Sequence, residues 1–260
     1  MLGKALKEKL SENFKVHAFS KSELDITDFK KIKLFFENLK PDFCVNAAAF
    51  TAVDAAETKQ TLAKKINDTA VGWLADTCQN HGATLIHFST DYIFDGENKS
   101  GFAENDKPRP LNFYGKTKLA GENKILKSGC KFAIVRTSWL FGNGKNFVNT
   151  MLDLAKKNSE IKVVSDQFGS PTFTSDLAVA TAKILHNKLQ GIFHRTNNGV
   201  TSWANFAQKI FELEKLPVKI IPITGAEFPT PAHRPQNSIL VNTKLPPLRK
   251  WEDSLQEFLK

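Results

Sequence analysis

The sequence has only three cysteines, Cys44, Cys78 and Cys130, an odd number spread far apart along 260 residues. That count and spacing fit neither a disulfide framework nor a paired zinc-ligand pattern, so reduced, mostly buried thiols and no bound metal are expected. No run of about 18 apolar residues occurs, and the N-terminus lacks a basic-then-apolar leader. These absences exclude a helical membrane span and point to a cytoplasmic protein. No internal repeat or low-complexity linker interrupts the chain. The formal charge is +9, yet the lysines stand in ones and twos without interleaved aromatics. Nucleic-acid binding is therefore not expected, although such a surface attracts phosphorylated small ligands.

What is present is enough apolar residue, 41% of the chain, to bury a full core. Strand-like runs alternate with amphipathic segments. "FKVHAF", "DFCVNAAA", "ATLIHFST" and "KFAIVRTSWLFG" read as strands, whereas "DFKKIKLFFENL", "TLAKKINDTAVGWLADTCQNHG" and "YGKTKLAGENKILKSG" read as helices. Alternation of this kind predicts an α/β fold, a doubly wound parallel sheet of Rossmann type covered by helices on both faces. After about residue 143 the prolines gather in loops such as "PITGAEFPTPAHRPQNS", which predicts a smaller C-terminal lobe. The expected division is 1–143 for the nucleotide-binding domain and 144–260 mainly for the lobe, with some segments returning to the sheet.

In open parallel sheets ligands bind beyond the carboxyl ends of the strands, so residues there carry the functional signal. "LIHFSTDYIFDG" ends a buried strand in Ser89, Thr90, Asp91 and Tyr92. Ser, Thr and Asp also terminate strands for structural reasons alone. Some twenty residues on, Tyr114 and Lys118 are four apart on a helix and share a face. An isolated tyrosine is a poor acid because its reference pKa is about 10, and a neighbouring ammonium eases its proton exchange. Taken alone, that spacing also describes an ordinary amphipathic helix. Gly115, early in the same helix, suggests close approach of a ligand. Asn46 and three alanines end an earlier strand, where small side chains would let a cofactor lie against the backbone. Asp28 is placed to cap the helix that follows it.

These stretches resemble the extended short-chain dehydrogenase/reductases and, among them, the dTDP-4-dehydrorhamnose reductase family. "LDITD", "NAAAFTAVDAAE", "STDYIFDG", "YGKTKLAGE", "VRTSWLFG", "DQFGSPTFTSDLA", "GIFHRTNNGVTSWANFAQKI" and "RPQNSILVNTKL" follow one another in the family's order. The resemblance implies NADPH-dependent reduction of the 4-keto group of a nucleotide-linked deoxysugar, with NADH as the lesser alternative. It assigns Tyr114 as general acid, Lys118 to the nicotinamide ribose, and Thr90 to the substrate oxygen. Asp91, Tyr92 and Trp139 would lie beside the sugar, and Arg234 would suit the diphosphate or a neighbouring loop carboxylate. Trp139 reads equally well as a core aromatic, and Arg234 as half of a surface ion pair. Leu2, Gly3, Asp25, Ile26, Ala48, Ala49, Thr51 and Phe88 would line the cofactor cleft, with Lys21 favouring a 2′-phosphate. Tyr92 stands where sugar dehydratases carry an acidic residue, which argues for reduction over dehydration. The family pattern leaves open a homodimer and a magnesium ion at its interface; this sequence supports no metal by itself.

The family pattern begins with a strand and a Gly-x-x-Gly-x-x-Gly turn whose amides receive the pyrophosphate. Here the opening "MLGKALKEKL" is already helical, and Gly3, preceded by Met1 and Leu2, matches only the last glycine. About ten residues of the pattern have no counterpart, which fits a start inside a longer natural protein better than a natural loss of cofactor binding. Two other readings remain. One is a non-catalytic interaction subunit resembling the regulatory subunit of methionine adenosyltransferase, and the other is a reductase or epimerase of a different nucleotide sugar.

Overall fold

Helix α1 (Leu2–Leu10) buries Leu2, Leu6 and Leu10, spaced four apart on one face. The structure, a computed structural model, describes residues 1–260. After α1 come α2 (Phe29–Leu39) and β1 (Phe43–Asn46). Helices α3 (Val53–Thr58) and α4 (Gln60–Lys64), a π-helical turn over Lys65–Thr69, and α5 (Ala70–His81) lead to β2 (Thr84–Thr90). Then follow α6 (Phe113–Ser128), β3 (Phe132–Thr137) and β4 (Leu140–Phe141). The remaining chain forms α7 (Phe147–Ala155), β5 (Glu160–Val164), β6 (Phe168–Gly169), β7 (Thr172–Phe173), α8 (Thr174–His186) and β8 (Gly191–His194). It closes with β9 (Thr201–Ser202), α9 (Trp203–Leu213), β10 (Lys219–Ile223) and α10 (Trp251–Phe258).

The main sheet has the order β1-β2-β3-β8, every pair parallel. Side chains alternate across it, so Ile86, Phe88, Ala133 and Val135 face one core with α1 and α8, while Leu85 and Ile134 face another with α2, α5 and α6. This is the doubly wound α/β arrangement expected from the sequence. Helix ends follow local chemistry: Asp28 accepts from Lys31 N at 3.0 Å and Asn112 from Gly115 N at 2.8 Å. Gly129, at φ 76°, takes the left-handed conformation that ends α6. A third core of 14 residues unites β4, β5 and β7 with α7, α9 and α10, and β10 pairs in parallel with β5.

Two strand expectations need correction. The stretch 14–19 is not a strand: β1, the edge of the sheet, pairs only with β2, so "FKVHAF" finds no ladder partner, although Phe14 and Val16 still pack on the core. "KFAIVRTSWLFG" is two short strands, because Trp139 adopts φ 47° and turns the chain between them. The long helix expected before β2 is present as one continuous helical run, with its π turn at Lys65–Thr69 and helical backbone at both junctions. The three cysteines are free and mostly buried, as expected: Cys78 and Cys130 are buried and Cys44 is half-buried, all in one core layer beside α5.

Candidate functional site

The carboxyl edge of the sheet gathers the chemistry. Parallel register sets Thr90 beside Thr137, so β2 and β3 end together, while β1 ends three residues earlier with Asn46 beside His87. Helix α6 crosses this edge closely, because Gly115 and Gly121 permit it. A Cβ on Gly115 would lie 2.1 Å from the Tyr92 carbonyl oxygen, and one on Gly121 would lie 2.2 Å from that of Asn67. The close neighbour that Gly115 accommodates is thus the protein's own backbone rather than a ligand.

That crossing brings Tyr114, Lys118 and Thr90 together. Lys118 is buried; its Nζ donates to the Phe88 carbonyl at 2.6 Å and lies 3.1 Å from His87 Nε2. Burial pushes its pKa down to about 8, with Glu122 opposing. Burial likewise lifts the Tyr114 phenol above its ordinary value, and hydrogen bonding with Thr90 acts against that lift. The chain's only tyrosines, Tyr92 and Tyr114, meet edge to face with centroids 6.2 Å apart. The Thr90 hydroxyl donates to Asp91 Oδ1 at 2.8 Å and accepts from Tyr92 N at 3.1 Å. With its one hydrogen committed to Asp91, Thr90 can donate to a substrate oxygen only by turning away from that carboxylate.

Asp91 is itself buried, its pKa raised to about 6 by desolvation, with the nearby Ser238 and Thr90 hydroxyls acting against that rise; its Oδ2 makes no hydrogen bond of normal length and angle. Ser89 Oγ and Thr137 Oγ1 are also buried and unpartnered at this edge. Buried polar atoms of this kind mark a place where another molecule completes the hydrogen bonding.

Of the expected cofactor residues, Ala48, Ala49 and Thr51 directly follow β1 at this edge. Ala47 and Ala48 are exposed just past β1, Ala49 is half-buried and Thr51 exposed. Gly3 sits at the start of α1, where an added Cβ would be 3.9 Å from that of Ala47, so the helix N-terminus opens beside these alanines. Leu2 and Phe88 are core residues, and Phe88 serves the site with its carbonyl. Asp25, half-buried, accepts from Thr27 N at 2.9 Å; that bond first, and Lys21 and Lys65 after it, hold its carboxyl below the usual range. Ile26 packs on the core beneath it.

Arg234 forms an ion pair with a helix carboxylate, Asp54 in the first turn of α3, rather than with a carboxylate of a neighbouring loop. Its guanidinium bonds Asp54 at 3.0 and 2.7 Å, and Ala232 N also donates to Asp54. This ties the loop before Gln236 to α3 across the site. Trp139 stacks on Trp203 at 3.5 Å between centroids, lies against Gly169 and packs, partly buried, on the third core.

Sequence reasoning missed Asn67, His87 and the Glu122–Arg136 pair. Asn67, on the π turn, bonds Phe50 N and O at 2.9 and 3.0 Å and reaches Thr117, fixing the loop after β1. A polar residue inside an apolar strand, His87 in "LIHF", was a signal in plain view. No group of three or more His, Cys, Asp or Glu side chains is arranged to hold a metal ion. No helix is long and apolar enough to cross a membrane.

A doubly wound parallel sheet, with a Tyr-x-x-x-Lys helix crossing a Ser-Thr-Asp strand end, has the architecture of an extended short-chain dehydrogenase/reductase. The chain belongs to the family described as RmlD substrate binding domain, whose model matches residues 1–260. It is 41% identical over 244 residues to a dTDP-4-dehydrorhamnose reductase of Burkholderia thailandensis, covering 87% of this chain and 82% of the relative. The crystal structure of a dTDP-4-dehydrorhamnose reductase from Clostridium acetobutylicum superposes with a TM-score of 0.97 at 43% identity, over 99% of this chain and 94% of that one. The enzyme of the same name from Bacillus anthracis, solved in complex with NADP, gives 0.97 at 39% identity with the same coverage.

Proposed function

We propose that this chain reduces the 4-keto group of dTDP-4-dehydro-L-rhamnose to dTDP-L-rhamnose, with NADPH as reductant. The observation that carries the reading is the convergence of Tyr114, Thr90 and buried Lys118 at the carboxyl edge of the sheet. The relatives bearing the reductase name support the substrate, and the NADP complex of one of them supports the cofactor.

The residues present fit NADPH. The small side chains of Ala47 and Ala48 leave the backbone open beside the N-terminus of α1, which favours phosphate. Gly3 and Leu2 would offer backbone there, Asp25 and Ile26 would flank the adenine, and Ala49, Thr51 and the Phe88 carbonyl would line the path to the nicotinamide. Lys21 and Lys65 lie near enough to act on Asp25, and their charge favours a 2′-phosphate over a bare ribose. NADPH, when bound, supplies the hydride.

The chain's own residues handle the proton and the substrate. As C4 gains the hydride its oxygen becomes an alkoxide, and the Tyr114 phenol, within reach of Thr90, protonates it. Lys118 would hold the ribose hydroxyls of the cofactor and, when charged, would stabilise the phenolate left behind. Asp91 Oδ2, buried and without a hydrogen bond of normal length and angle, accepts from a sugar hydroxyl; Tyr92 and Trp139 border the ring. Arg234, whose guanidinium is held by Asp54, would supply positive charge to the diphosphate.

Fluorescence titration with NADPH tests the cofactor half of this reading. Saturable binding is expected, weakened about tenfold by Lys118→Met, the worth of one hydrogen bond to a charged group. No saturable binding by the wild-type chain would overturn it.

A further inference from the structure

His87 sits in the middle of a buried hydrogen-bond chain that the reduction reaction does not itself require. It is only 1% exposed, with Nδ1 at 3.1 Å from Asn46 Nδ2 and Nε2 at 3.1 Å from Lys118 Nζ. The orientation of the Asn46 amide is fixed independently, since its Oδ1 accepts from Ala48 N at 3.1 Å. Turning the amide over would set its NH2 group against the Ala48 N–H, donor against donor. Asn46 Nδ2 is therefore the donor to His87, and Nδ1 must be the acceptor. A neutral imidazole has one proton, so that proton is on Nε2, pointing at Lys118. Desolvation first, and Lys118 second, depress the His87 pKa well below its ordinary value, so the ring stays neutral.

We propose that Asn46 and His87 are positioning residues that hold Lys118 toward its uncharged form, by presenting an Nε2–H donor to its Nζ. An amine accepts that hydrogen in its lone pair while giving one of its own to the Phe88 carbonyl; an ammonium has no lone pair and is opposed. Besides His87, the charged group acting on Lys118 is Glu122, on its own helix, which opposes the effect of burial. Glu122 is engaged by Arg136, at 2.8 Å on β3. Burial and the imidazole thus act in the same direction on Lys118. Protonating it requires His87 to change tautomer and the Asn46 amide to turn, which releases the Ala48 N–H into the cleft.

That Lys118 serves catalysis rests on the reductase reading, but the test needs neither cofactor nor substrate, so the two can fail separately. Long-range proton–nitrogen NMR of the wild-type chain reads the tautomer: an Nε2–H signal for His87 is expected, and Nδ1–H would overturn the proposal. Titration of the Lys118 side-chain carbon shift supplies the second readout in His87→Gln and Asn46→Ala, which leave net charge unchanged. In either variant that folds, Lys118 is expected to titrate about one pH unit higher, a tenfold gain in basicity. An unchanged titration in the folded variants would overturn the proposal, and if neither folds the wild-type tautomer decides alone.

Discussion

Gly115 lies against the Tyr92 carbonyl, so close that a methyl group on its Cα would stand 2.1 Å from that oxygen. The start of α6, and with it Tyr114, is placed by this contact. Gly115→Ala must move backbone on one side or the other, since the obstacle is not a flexible side chain. A loss of about 1–3 kcal/mol is expected in urea denaturation, together with at least a tenfold fall in turnover from a shift of the phenol. An unchanged kcat would mean that the contact does not position Tyr114.

Asp91 gives a stability effect with a defined sign. Its folded-state pKa is about 6 against an ordinary 3.8, so the folded chain binds the extra proton between those values. Stability from this group is full at low pH and falls as pH rises through about 6. Asp91→Asn, which cannot ionise, is therefore expected to be more stable than the parent at about pH 7.5, by at most about 3 kcal/mol, with the difference gone near pH 4. Urea denaturation at the two pH values checks this, and destabilisation at the higher one would contradict it.

Glu122 and Arg136 form an ion pair buried between α6 and β3, with side chains 1% and 3% exposed. Arg136 also donates to the Glu104 carbonyl and stands 3.3 Å from His194 Nε2. Removing one partner strands a buried charge. Glu122→Leu is expected to cost about 3–5 kcal/mol in denaturant unfolding, and a change below about 1 kcal/mol would show the pair to be dispensable.

The sheet and its helices were legible because buried parallel strands and amphipathic helices carry different periods; β1, β2 and β3 each fall within a stretch read as a strand. The segment 14–19 has the right residue pattern but not the neighbour that a ladder needs, and pattern alone does not supply neighbours. β8 was hidden inside "GIFHRTNNGV", too short to stand out. At the site, the Tyr114/Lys118 spacing could be read because it is local. The Asp54–Arg234 contact spans 180 positions, and the His87–Lys118 contact joins a strand to a helix; neither leaves a trace in spacing. Gly115 was noticed as unusual, but only the fold shows what it accommodates.

Turnover tests the central claim most directly. The chain is mixed with NADPH and dTDP-4-dehydro-L-rhamnose, NADPH oxidation is followed, and the product is identified by NMR. Substrate-dependent oxidation yielding dTDP-L-rhamnose is expected, with kcat lowered about 10²–10⁴-fold in Tyr114→Phe while NADPH binding persists. NADPH binding without oxidation in the wild-type chain, or a Tyr114→Phe variant as fast as its parent, would contradict the account.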